Sequence, residues 1–188
     1  MKLSIFASVA LAAALAAGAA SAQSQPSNPG PAIAGVCLYN HDRTLAQSMV
    51  GQAVSVRLQQ LTDAVRAEMT PEQQAIEAEA AALQPIPAEQ RIERTQALSQ
   101  RLQAFQLLEQ QRSMELAYTE QTQSQAIASA IEPILSQVYV ERGCGILFQA
   151  GAVHYANPQM DVTDRVIELL NGQLQTLSFD RLPLPQQQ

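Results

Sequence analysis

Tryptophan is absent from this 188-residue chain, and aromatic residues make up only 4% of it. Both a sugar-stacking platform and a large packed core are disfavoured, because aromatic rings supply much of the contact area in each. Lysine is almost as scarce: Lys2 is the single example, and the other ten basic residues are arginines. With 17 acids the formal charge is −6. That balance argues against nucleic acid as a partner, since such binding rests on a basic surface that neutralises phosphates. Histidine is limited to His41 and His154, and cysteine to Cys37 and Cys144. No serine elbow, glycine-rich phosphate loop or spaced pair of catalytic carboxylates is present. The expectation is a protein without enzymatic activity, cofactor or metal.

The apolar residues that are present fall into three patterns. Lys2, the short apolar stretch 3–17 and the small residues Ala20-Ser21-Ala22 form a cleavable export signal over residues 1–22. The stretch is shorter than the ~20 residues that span a bilayer, and no cysteine stands at the cleavage point to take a lipid. Cleavage removes the only lysine and leaves ten arginines against 17 acids, a formal charge of −7. In an exported chain an even cysteine count favours a Cys37–Cys144 disulfide over two separate buried thiols. A disulfide would consume the thiols that a zinc site with His41 would need.

After a loose Pro- and Ser-rich lead over residues 23–31, Ile33–Tyr39 is a nearly continuous apolar run. It predicts a short strand buried on both faces, with Thr44 as cap of the helix that follows. From there Val50, Val54, Leu58, Leu61, Val65, Met69, Ile76 and Leu83 recur at helical spacing. Thr70 and Pro71 predict a kink or a capped restart. Pro85 and Pro87 stop the helix. A return helix is expected from about Ala88 to Glu141, with a stripe of Leu98, Leu102, Phe105, Leu108 and Leu116 that resumes at Ile127, Ile131, Ile134 and Val138. At 1.5 Å per residue the two limbs would reach on the order of 60 and 80 Å. The Gln- and Glu-rich stretch 109–126 has little to pack and is expected to be the most mobile part.

The C-terminal block is the most specific. Gly145–Phe148 and Ala152–Tyr155 predict a hairpin turning at Gly151. Asn157 and Pro158 predict a turn, and Asp161 and Asp164 an acidic cap on a helix with Val162, Val166, Leu169 and Leu170 on one face. Residues 182–188 are expected to fray. The fold class is thus α+β and mostly α: a long antiparallel helical hairpin attached to a small β body, whose two or three strands are marginal alone and would fit a body formed by oligomerisation. The body takes residues 32–43 and 142–180 and the arm residues 44–141.

Strand, long hairpin and the C-terminal block from Gly143 through Phe148, Val153, Tyr155, Asp161 and Val166 to Asn171 together resemble the Skp/OmpH family of periplasmic chaperones. The resemblance implies a homotrimer whose arms project like tentacles and hold unfolded outer-membrane β-barrel proteins without ATP. It implies a client surface on Val54, Leu58, Leu61, Val65, Met69, Ile76, Leu98, Leu102, Phe105 and Leu108. It implies an oligomerisation body on Ile33, Val36, Leu38, Ile146, Leu147, Phe148, Val153 and Tyr155. Members of that family are typically basic, whereas residues 44–132 here carry six arginines and 11 acids. Lipopolysaccharide is therefore a doubtful ligand, while peripheral membrane contact stays open. The rival reading is an adaptor of the cell envelope, whose hairpin docks end-on to another coiled coil. A lesser rival is a stress protein controlled by its two cysteines.

Overall fold

The computed structural model describes residues 30–185; the export signal and most of the lead lie outside them. Strand β1 (Val36–Tyr39) leads into a short helix α1 (His41–Gln47), followed by two long antiparallel helices, α2 (Met49–Ala82) and α3 (Ala88–Glu141). Strand β2 (Ile146–Gln149) returns beside β1, and helix α4 (Thr163–Gln173) closes the base. The two strands run parallel, Val36 opposite Ile146 and Leu38 opposite Phe148. Parallel strands need a long crossover, and here the crossover is the entire helical arm.

At the base, Val50 and Val54 of α2, Ile127, Ile131, Ile134 and Val138 of α3, and Val166 and Leu170 of α4 form one core with Cys37 and Tyr39. Cys37 and Cys144 are joined within the chain, their Cα atoms 5.7 Å apart. Neither cysteine is available to a metal, and the described residues contain no group of three potential metal ligands. The bridge ties β1 to the exit of α3 across a separation of 107 residues.

Several local expectations fail for identifiable reasons. The strand starts at Val36 rather than Ile33, because Gly35 sits in the left-handed region (φ +76°) and turns the chain there. Thr44 does not cap. Asn40 accepts from the Arg43 amide at 2.9 Å, and Thr44, fully buried inside α1, donates to the Asn40 carbonyl. A second cap, Ser48, which the periodicity hid, separates α1 from α2 and accepts from the Gly51 amide. Pro71 does not interrupt α2, which runs unbroken through it. Thr70 turns its hydroxyl back to the Arg66 carbonyl at 2.8 Å instead of capping.

The expected hairpin is also absent. After β2 a single turn of 3₁₀ helix over Ala150–Ala152 carries the chain away, and Gly151 does not adopt positive φ. Val153 and Tyr155 consequently have no strand partner among the described residues. On the other side of β1, the Val162 amide donates to the Leu38 carbonyl at 2.9 Å. Helix α4 begins one residue later than its acidic pair suggests. Asp161 accepts from the Thr163 amide, and Asp164 turns to Arg43 rather than back to the cap.

The largest departure is the C-terminal segment. Of the stretch 182–188 expected to fray, residues 186–188 lie outside the described residues, while residues 174–185 run extended along the arm and the Leu182 amide is held by Thr119. Leu177, Phe179 and Arg181 are half-buried, while Ser178 and Asp180 face out, the period-two alternation of an extended chain on a surface. Leu174, Leu177 and Phe179 pack on the basal core. The segment meets the stretch 109–126 that looked unpacked, where Glu115, Thr119 and Gln123 are buried. That stretch is polar because its partner is polar.

Two measurements test this account. A Cβ on Gly51 would stand 1.8 Å from the Leu45 carbonyl oxygen, a backbone atom that cannot swing aside. Gly51→Ala should therefore cost on the order of 1–3 kcal/mol in urea unfolding. Reduction of the Cys37–Cys144 bridge frees a loop of about a hundred residues. It should lower stability by up to ~4.7 kcal/mol on chain-entropy grounds, read as a lower urea midpoint in reductant.

Candidate protein-binding surfaces

The arm stripe divides once its neighbours are known. Val54, Leu61, Met69, Ile76 and Leu98 are buried and hold α2 to α3. Leu58, Val65, Phe105 and Leu108 are half-buried, and Leu102 is exposed. The spacing did not single out Val56, Ile92, Leu107 and Met114, which are exposed apolar residues of the arm. They lie off the stripe, so a search for helical periodicity passes over them.

The α2–α3 pair has two flanks. By helical phase, Arg57 and Glu68 lie on one side of the contact line, and Gln59, Thr62 and Arg66 on the other. The second flank is an open seam. A cleft of about 490 Å³ runs between Leu45, Val54, Leu58 and Thr62 on one side and Glu120, Ser124 and Ile127 on the other. A further cleft of about 290 Å³ continues outward past Thr62, Val65 and Met69 to Leu116. The first flank carries the C-terminal segment. There Arg57 donates to the Phe179 carbonyl at 3.1 Å and also pairs with Asp180. The Leu182 amide donates to Thr119 Oγ1 at 2.9 Å.

Ion pairs knit these elements together. Arg101 of α3 grips both oxygens of Glu72 at 2.6 and 2.8 Å and reaches Glu79 at 2.9 Å. The planar fork of arginine makes this bidentate grip, which a lysine ammonium could not. The Arg101 hydrogen bonds lower the Glu72 carboxyl below its ordinary value, and those of Glu72, then Glu79, raise the guanidinium. Nearer the base, Arg112 holds Glu68 at 2.7 Å and Glu115 at 3.1 Å. Arg181 of the C-terminal segment reaches the same two carboxylates at 3.0 and 3.1 Å. Two guanidiniums and two carboxylates thus join α2, α3 and the segment.

The body presents a different surface. Val36 and Leu38 share one sheet face with Ile146 and Phe148, while Cys37, Tyr39 and Leu147 turn inward to the core. Ile146 is 51% exposed and Phe148 45%, and the flanking Ile33 and Tyr155 reach 62% and 75%. Ile33, Phe148 and Tyr155, with Val36, Leu38, Val153 and Met160, line an apolar groove of about 350 Å³. The structure therefore brings Ile33, Val36, Leu38, Phe148, Val153 and Tyr155 together, with Ile146 beside them, and turns the half-buried Leu147 to the opposite face, against the core. His41 lies at the start of α1 and His154 beyond the 3₁₀ turn, and neither belongs to a group of potential metal ligands among the described residues.

The Glu68 carboxyl is held below its ordinary value, first by the hydrogen bond from Arg112 and then by that from Arg181. A depressed carboxyl stabilises the fold fully above its unfolded value, and the contribution disappears as pH falls through the lower folded value. The segment's grip should thus be unchanged from neutral pH to about pH 5 and weaken below about pH 4. The chemical shift of the Leu182 amide reads this directly, and Glu68→Gln should remove much of the acid step.

Comparison with known proteins agrees with this architecture. Residues 35–170 match the family model of OmpH-like outer membrane proteins. No curated protein matches the chain significantly. A crystal structure from Caulobacter crescentus, of a protein provisionally assigned as an OmpH-like outer membrane chaperone, is similar with a TM-score of 0.76 and 35% identity. The match covers 86% of this chain and 98% of that one. No described helix is long and apolar enough to cross a membrane. The family is one of chaperones rather than enzymes and suggests a periplasmic setting. By the match over residues 35–170 and the shared fold, this chain belongs to the OmpH-like family of outer membrane chaperones.

Proposed function

We propose that the chain is an ATP-independent periplasmic holdase, which binds unfolded outer-membrane β-barrel proteins and keeps them soluble until membrane assembly. One observation carries the reading. A two-stranded sheet that leaves Ile146 and Phe148 about half exposed on its outer face stands at the root of an arm whose return helix spans 54 residues. Two strands alone are marginal, and an uncovered edge invites pairing, so the body closes by assembling copies. Three copies, the number that the family resemblance implies, set three arms around a shared space.

The open seam along Leu58, Val65 and Leu116 and the exposed Leu102, Leu107 and Met114 offer an unfolded chain many weak apolar contacts. Separated segments of that chain are then kept from pairing with one another. Arg101 and Arg112 pair with arm carboxylates across the helices, so these cations serve the arm itself and its net charge stays negative. The remaining negative charge makes lipopolysaccharide a poor ligand. In this reading residues 1–22 are the export signal, 44–141 the arm, and the two ends of the folded domain the body. Residues 174–180, grouped with the body by sequence, pack on the basal core through Leu174, Leu177 and Phe179 and also meet Arg57 of the arm.

The adaptor reading gains one point from the structure: α2 continues through Pro71, so the arm is less interrupted than expected. An adaptor recovers one stable partner from envelope extract, whereas a holdase recovers many barrel proteins. The direct test dilutes a urea-unfolded β-barrel protein into buffer with a stoichiometric amount of the oxidised chain and follows light scattering. Strong suppression is expected, together with its loss in Ile146→Asp/Phe148→Asp, which charges the sheet face. Scattering unchanged by the wild-type chain would remove the holdase reading.

A further inference from the structure

The flank that carries the C-terminal segment is built to hold an extended polypeptide, and its polar contacts show which kind. Two of them address backbone rather than side chain: Arg57 Nε donates to the Phe179 carbonyl and Thr119 Oγ1 accepts from the Leu182 amide. Any extended chain in that register can make both. Three contacts read side chains at alternate positions. Leu177 and Phe179 enter apolar surface continuous with the basal core, and two residues further on Arg181 enters the pocket of Glu68 and Glu115. Glu115 and Thr119 are both more than nine-tenths buried under the segment, so removing the segment would strip a carboxylate and a hydroxyl of their cover.

We propose that this flank is an exchangeable binding site for extended polypeptide, with the segment 174–185 as its resident occupant. A segment of an unfolded client displaces it when apolar residues stand at alternate positions and a cation stands two residues after the second. The client half of the statement rests on the holdase reading; the site itself does not. The Asp180–Arg57 pair and the tether through α4 favour the resident. A free segment must therefore compete with an occupant at an effective concentration that reaches about millimolar for a short link. The site is closed to weak or mismatched chains and opens to those that supply many contacts elsewhere on the arm.

The probe is a fluorescent peptide of residues 174–185. It is titrated against the wild-type full chain and against Leu177→Ser/Phe179→Ser/Arg181→Ser, which weakens the occupant and leaves every groove residue intact. The variant should bind the peptide at least about tenfold more tightly than wild type, and a peptide carrying Arg181→Glu should not bind. Equal affinity for a folded variant and wild type overturns the site. A measurement on the wild-type chain stands independently of the variant. Unlabelled peptide added at about millimolar concentration to ¹⁵N-labelled protein should speed exchange of the Leu182 amide with solvent, and unchanged protection overturns the site as well. A urea-unfolded barrel protein should then displace the bound fluorescent peptide. Suppressed aggregation without displacement removes the client half alone, whereas failure to suppress aggregation bears on the holdase reading and leaves the peptide results standing.

Discussion

The joint between β1 and the end of α3 is the constraint from which the rest of the structure follows. Val36–Tyr39 pairs in parallel with Ile146–Gln149, and Cys37 is bonded to Cys144, although 107 residues separate the two cysteines. Nearly all of that separation is helical hairpin. Closing so long a loop is entropically costly, and three terms offset it: strand pairing, the covalent tie, and the core of Val50, Ile134, Val138, Val166 and Leu170 beneath them. With the ends fixed, α2 and α3 have no freedom except to run out and back together. The arm is therefore a consequence of the joint. Its outer half needs only a thin seam and crossing ion pairs to stay closed.

The same joint leaves one face of the sheet half exposed. A parallel pair of four-residue strands covers one face with Cys37, Tyr39 and Leu147, and leaves Ile146 and Phe148 about half exposed beside the buried Leu38 on the other. A third strand within the chain would cover part of that surface, but the 3₁₀ turn at Ala150–Ala152 takes the chain elsewhere. In the proposed function, further copies of the chain finish the body. The reading of assembly and the reading of arms that hold an unfolded chain share this origin.

How much of this could be read from the sequence depended on whether partners were near in sequence. Helix α3 was legible nearly to the residue, because Pro87 and the glycine at 143 punctuate it and Ile127, Ile131, Ile134 and Val138 keep its period. The break at Ser48 was not, since α1 is too short to show a stripe of its own ahead of the one that starts at Val50, and only the close approach of Gly51 to Leu45 reveals the corner. The hairpin around Gly151 failed because a glycine between apolar pairs specifies a turn without specifying a partner for the second strand. The C-terminal segment was the hardest. Leu177, Phe179 and Arg181 carry a strand-like alternation, but their partners Glu68, Glu115 and Thr119 lie far back in the chain. Read alone, the polar stretch of α3 looked unpacked and the Pro-rich tail looked loose; each explains the other. Among the candidate arm residues, periodicity found the seam that closes the arm more readily than the apolar residues that remain exposed.

The proposed function turns on further copies of the chain closing over the half-exposed sheet face. Native mass spectrometry of the oxidised, processed protein at micromolar concentration tests it most directly. The account predicts a closed assembly of three copies, with no appreciable monomer. A monomer as the dominant species would contradict it.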